Sequence, residues 1–264
     1  MDPSPSLVCS SVELYTLASL LGGEMLTGLP DPFPGWLTEE IQAAMEEARQ
    51  SLTTRGILAP REDGQMVMDV VAAALVGTLV SPQAVFILTV TGPEPPPRQV
   101  NLYYRAPLTA AMEKQEGDWV LGFLPDTAAI ARRVQELWHL GPQKAVRASS
   151  FSLSEKEMEQ VRQARVLGEK EVLSHLEKAG VPPASARAMA RTLTAPRQNG
   201  AMVALCSRQG VWDTGGLGIL EGENGLWLLR SFSRQGANWI ECVPRSGQQL
   251  MAEVETLLHR FLPP

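Results

Sequence analysis

The sequence predicts an α+β, internally duplicated fold. The tail carries the first observation. Asn238-Trp239-Ile240-Glu241-Cys242-Val243-Pro244 is an apolar, strand-like run closed by proline. After it come Leu250, Val254, Leu257, Leu258 and Phe261, whose spacing lays one apolar stripe along a helix over 248–261. The second observation is that the same order occurs earlier: Asp118 to Pro125 is again a strand closed by proline, followed by Ile130, Val134, Leu137 and Trp138 at helical spacing. The third is arithmetic. Ser10/Ser154 and Glu13/Glu157 are offset by 144, Gly56/Gly180 by 124, Pro82/Pro196 by 114, and Gly117/Gly236 and Pro125/Pro244 by 119. Six landmarks in one order indicate two copies, 7–138 and 151–262. Trp119/Trp239 stand at 120, one residue out of step, which a bulge or a slipped strand would explain.

In the first copy, Leu7-Val8-Cys9 reads as a short strand. Ser10-x-x-Glu13 is a capping box opening a helix over 12–21, which stops at Gly22-Gly23. The prolines of the 28–35 stretch forbid a helix and make it an extended connector. Thr38-Glu39-Glu40 caps a helix through about Thr54, with Ile41, Ala44, Met45, Ala48 and Leu52 inward; Gly56 ends it. Residues 69–79 form a helix that is apolar nearly all round and therefore buried. Strands are expected at 84–90, 100–104, 108–114 and 119–124 as an antiparallel meander. The stretch Thr91 to Gln99, rich in proline, makes a stiff hairpin tip. Residues 139–150 read as an exposed linker.

The second copy repeats this plan without the connector. A strand at 151–153 leads to the capping box Ser154-x-x-Glu157. Helices follow at 155–165, 169–179 and 183–193. Strands at 201–207, 216–220, 226–231 and 239–243 precede the final helix.

Composition narrows the function. The 264 residues are 44% hydrophobic, with a formal charge of −6 and a pI near 5.2. Up to residue 141 there are 8 Lys/Arg against 17 Asp/Glu; beyond it there are 15 against 12. No basic face for nucleic acid is expected from that balance. The first 30 residues contain no Lys or Arg, so no signal peptide is expected, and the apolar run 70–80 is too short to span a bilayer. Cys9, Cys206 and Cys242 make no paired framework, which suits a reducing, cytoplasmic compartment.

No catalytic, cofactor or metal signature stands out. His139, His175 and His259 share no helix face with another ligand type. Cys206 and Cys242, both on expected strands, read as core thiols; adjacency across the sheet, and with it a redox pair, stays open at this point. Gly215-Gly216-x-Gly218 lacks the Lys-Ser/Thr of a phosphate loop and reads as a turn or bulge. Glu39, Glu40, Glu46 and Glu47 form a solvated acidic face, and Trp36 is a lid on the core. Tyr103 and Tyr104 alternate across a strand, so one ring faces the core and the other faces solvent or a partner.

Two stretches resemble a known family. One is Leu176-x-x-Ala-Gly180-Val-x-x-x-x-Ala186-Arg-x-Met-Ala190-x-x-Leu193-x-x-Pro196-x-x-x-Gly200; the other is Trp239-Ile-x-Cys-Val-Pro244 with the helix after it. Asp69-x-x-x-x-Ala74-Leu75-x-x-x-Leu79-x-x-Pro82 is similar in the first copy. The pattern resembles the EspG family, the cytosolic specificity chaperones of actinobacterial type VII secretion, over nearly the whole chain. The resemblance implies a single domain over 1–264, with a central antiparallel sheet flanked by two helical bundles in quasi-two-fold symmetry. It also implies a non-enzymatic chaperone without cofactor that binds the apolar helical tip of a PE–PPE-like secreted heterodimer, or another helical exported protein, and keeps it soluble. The hairpin loop and the C-terminal bundle make contact in that family. The implied partner-binding residues here are Thr91, Pro93, Glu94, Pro95, Pro96, Pro97 and Arg98, with Tyr104 added from the strand reading. The expected state is a monomer or homodimer. Two alternatives remain open at this point: a protein-binding scaffold unrelated to secretion, and an enzyme with a site in the cleft between the copies.

Overall fold

The computed structural model describes residues 6–92, 97–208 and 211–262. Helices and strands are mixed as the apolar spacing predicts. The strands are β1 (Ser6–Cys9), β2 (Leu58–Pro60), β3 (Met66–Met68), β4 (Ala84–Thr91), β5 (Arg98–Arg105), β6 (Leu108–Gln115), β7 (Asp118–Leu124), β8 (Phe151–Ser154), β9 (Gln198–Arg208), β10 (Val211–Gly222), β11 (Gly225–Arg234) and β12 (Ala237–Arg245). The helices are α1 (Ser11–Leu20), α2 (Thr38–Thr54), α3 (Val70–Val80), α4 (Ala128–Leu137), α5 (Glu155–Ala164), α6 (Glu169–Lys178), α7 (Pro183–Thr194) and α8 (Gly247–Phe261), with a 3-10 turn at Arg165–Leu167.

Ten strands hydrogen-bond in the order β1-β7-β6-β5-β4-β9-β10-β11-β12-β8, and β2–β3 form a separate hairpin. The first half of that order, β1-β7-β6-β5-β4, has the same internal sequence as β8-β12-β11-β10-β9 read from the other end. Cap geometry follows suit. Ser81 closes α3 at φ −134°, ψ 60°, and Ala195 closes α7 at φ −134°, ψ 63°. We propose that gene duplication produced the two copies; failure of 84–124 and 201–243 to superpose would remove that proposal.

Contacts divide the chain into two compact units. One holds Met1–Ile87, Gln99–Ile130 and Leu205–Asp213; the other holds Leu88–Arg98, Ala131–Ala204 and Thr214–Pro264. In the first, Leu14 and Leu17 of α1, Leu52 of α2, and Leu75 and Leu79 of α3 pack on Tyr103, Met112 and Leu121 of the sheet. In the second, Met158, Val161, Val172, Leu176 and Met189 pack on Trp227 and Cys242. Each fully buried leucine contributes about 2 kcal/mol of transfer free energy. On α8 the buried residues include Leu250, Val254, Leu258 and Phe261, while Leu257 is half-buried.

Several expectations need correction. The helix at 38–54 is capped at Leu37, whose N–H donates to Glu40 Oε2 at 2.8 Å; its inward stripe holds, with Ala48 and Leu52 buried and Ile41, Ala44 and Met45 half-buried. Val70 of the apolar helix is 81% exposed, because a first-turn residue extends past the core its helix packs on. Residues 139–150 are not simply an exposed linker. Leu140 and Val146 are buried and Ala145 bridges to Leu226. The two tryptophans need no bulge: the β6–β7 and β11–β12 ladders are both unbroken, turning at Glu116-Gly117 and Gln235-Gly236 with positive φ. Counted from those turns, Trp119 and Trp239 fall on opposite strand faces, because side chains alternate; Trp119 is buried and Trp239 half-buried. Cys206 and Cys242 are not neighbours, since β10 and β11 stand between their strands. The β2–β3 hairpin was not foreseen; three-residue strands are too short to show an alternation.

Candidate protein-binding site

A concavity within the second unit has a volume of about 900 Å³. Its origin is a fork in the sheet. β10 pairs with β11 only from Gly218↔Leu229 to Gly222↔Gly225, whereas β11 pairs with β12 from Leu226 to Arg234. From Thr214 to Leu217, β10 therefore runs without β11 beside it, and the space between becomes the cleft. Met202, Leu217, Ile219, Leu220, Leu229 and Ile240 face it from the strands. Met158, Met189 and Leu193 face it from α5 and α7, and Val166, 85% exposed, projects from the 3-10 turn.

Glycines shape the floor. A Cβ on Gly216 would stand 2.7 Å from the Met202 carbonyl oxygen, and one on Gly215 would stand 2.7 Å from Phe261 Cζ of α8. The glycine run is therefore the interior of a strand pressed by neighbours, not a turn or bulge. Gly200 is required for a similar reason, because its Cβ would meet Thr89 O and Trp138 Nε1, each at 2.8 Å. Trp138 is buried and donates from Nε1 to Thr89 O at 3.2 Å; its own carbonyl accepts from Gln198 Nε2 at 3.1 Å. These bonds fix the end of β4 against the cleft wall.

The cleft's electrostatics are one-sided. Arg162 and Arg165 stand exposed at its edge, and no carboxylate among the described residues lines it. Beneath, burial pushes the Cys242 thiol up to about 12, opposed in part by Arg162. Burial likewise pushes Cys9 up to about 12, with Glu13 adding to it. Neither thiol is suited to nucleophilic chemistry near neutral pH. Among the described residues no group of three or more His, Cys, Asp or Glu could hold a metal ion.

The residues expected to touch a partner divide in two. Thr91 ends β4, half-buried, while Pro97 and Arg98 are exposed at the start of β5. Thr89, which lines the cleft, stands two residues before the loop. Pro93, Glu94, Pro95 and Pro96 lie outside the described residues. Tyr104 is not brought to the loop. It sits six residues along β5 from Arg98, about 20 Å away at strand rise, and its carbonyl accepts from Gln83 N at 2.8 Å. Of the pair, Tyr103 faces the core, where its hydroxyl donates to Thr27 O at 2.7 Å, and Tyr104 is half-buried. Trp36, 45% exposed, lies edge-on to buried Phe33 at 5.6 Å, a partial lid. The cleft itself was missed, although a glycine run beside methionines gave a signal.

A sequence model of the EspG family matches residues 10–256. Among solved structures, the chain is similar to the Mycobacterium tuberculosis type VII secretion system chaperone EspG5, in a structure with a PE25–PPE41 dimer. That similarity has a TM-score of 0.69 at 17% identity and covers 98% of this chain and 97% of that one. A second match, HtdX of Mycobacterium tuberculosis, is 14% identical over 90% of this chain and 98% of its own, with a TM-score of 0.16 that carries no argument. No curated protein sequence matches the chain significantly.

Proposed function

We propose that this chain, which belongs to the EspG family, is a non-catalytic chaperone that holds the apolar helical tip of a PE–PPE-type heterodimer before type VII secretion. The observation that carries the reading is a fold shared along 98% of the chain with a chaperone seen bound to such a dimer. The cleft is suited to that task. Val166, exposed, and Leu193, Leu229 and Ile240, half-buried, present its apolar surface to a helical partner. Its arginines attract an acidic flank, favouring the encounter, while apolar burial supplies affinity. Thr89, which lines the cleft, stands two residues before the proline-rich stretch 91–98; a proline-rich stretch has less conformational entropy to lose on docking, which supports its part in binding. Tyr104 belongs to this surface only if the partner also covers the far end of β5. We place this activity in the cytosol; no helix among the described residues is long and apolar enough to cross a membrane.

The test is co-expression with a PE–PPE heterodimer encoded near this chain in its own genome, followed by gel filtration and calorimetry. A stable complex is expected. Replacing Pro95–Pro97 by Gly-Ser sequence should weaken it about tenfold without lowering thermal stability. Absence of a complex with every such heterodimer rejects the function. A complex indifferent to the replacement removes the loop from it.

A further inference from the structure

A second cavity of the same unit has no part in that reading. Its volume is about 440 Å³, and Lys144, Arg147, Arg187 and Arg191 line it with no carboxylate among them. Arg187 and Arg191 lie one turn apart on α7, on the helix face opposite Met189 and Leu193 of the cleft. Lys144 and Arg147 come from the segment before β8. Ala184 and Ala188, short side chains at the same face of α7, leave the space between the cations open.

Of these four cations Arg191 alone has an ion-pair partner among the described residues, Glu169 at 3.3 Å, and both side chains are well exposed. Lys144, Arg147 and Arg187 make no ion pair with the described residues. Gathering four cations in a concavity costs repulsion, and it does so in a chain whose formal charge is −6. An anion in the cavity relieves that cost.

We propose that this cavity binds a compact phosphate-bearing polyanion. Guanidinium groups present planar forks that match phosphate oxygens bidentately, and the lysine adds a point charge. Asn224 lines the same space as a polar, uncharged residue. No aromatic residue lines it, so there is no platform for a nucleobase; recognition rests on the phosphates. Cations converging from two elements on a concave site suit an oligophosphate better than the spread carboxylates of an acidic protein surface.

Calorimetry on the full chain with sodium tripolyphosphate at low salt tests this. Binding should weaken as salt rises, because the contacts are ionic. The double variant Arg147→Gln/Arg187→Gln should weaken it at least about tenfold. Neither residue makes an ion pair in the fold, so the melting temperature should stay unchanged. Arg61→Gln, in the exposed turn between β2 and β3, should have no effect. A parallel arm measures co-sedimentation with phosphatidylcholine vesicles with and without phosphatidylglycerol. Variant-sensitive capture by the anionic vesicles identifies a lipid headgroup as the phosphate source, and tripolyphosphate binding alone identifies a soluble one. No binding at millimolar tripolyphosphate, or equal weakening by Arg61→Gln and the double variant, overturns the proposal.

Discussion

Glu13 shows what one side chain does for this fold. Its Oε2 accepts from the Ser10 backbone N–H at 2.9 Å, closing the capping box, while Oε1 accepts from Ser51 Oγ at 2.7 Å. Arg55 Nη1 reaches both oxygens at 3.0 Å, and Arg55 Nη2 donates to the Val8 carbonyl. One carboxylate thus links β1, α1 and α2. Burial alone would raise its pKa; the hydrogen bonds from Ser51, Ser10 and Arg55 overcome that and hold it below the usual carboxylate value. A depressed folded pKa means stability that is present above the unfolded value and lost as pH falls through the folded one. Glu13→Gln should therefore cost about 2 kcal/mol at neutral pH. That difference should shrink as pH falls through the lowered pKa of the folded state, where the wild-type carboxylate protonates; urea melts across pH check it. A pH-independent difference would mean the charge is irrelevant. The sequence revealed Ser10 and Glu13 because a capping box is local. Ser51 and Arg55, 38 and 42 residues away, left no local trace.

Elements were legible in proportion to the locality of their causes. The boxes at Ser10/Glu13 and Ser154/Glu157 form as spaced, with Glu157 N donating to Ser154 Oγ at 3.3 Å. A third, Ser246/Gln249, was there to be read and opens α8. Asp69 caps α3 by accepting from Val71 N and Ala72 N. Strand faces and the glycine run were less legible, because what presses on Gly216 is Met202 of another strand. Gly216→Ala should destabilise by about 2 kcal/mol, since a carbonyl oxygen cannot swing aside as a side chain can. Gly122→Ala in β7, where a Cβ meets nothing within 4 Å, is the control and should change stability by less than about 0.5 kcal/mol. Equal thermal shifts for the two variants would refute the close-approach account.

At the scale of the molecule, an α+β chain with a large antiparallel sheet followed from periodicity, and family membership followed from core positions spread along the chain. The cleft did not, because a fork between β10 and β11 is a matter of pairing register, which depends on strands distant in sequence. The cleft is where the functional reading puts the partner. Hydrogen–deuterium exchange of the chain alone and in complex with its PE–PPE heterodimer tests it most directly. Slower exchange on binding is predicted at 165–167, at the β10 stretch 214–217 and across 91–99. Complex formation with those amides unchanged, and slowing confined to α1 and α2, would contradict the account.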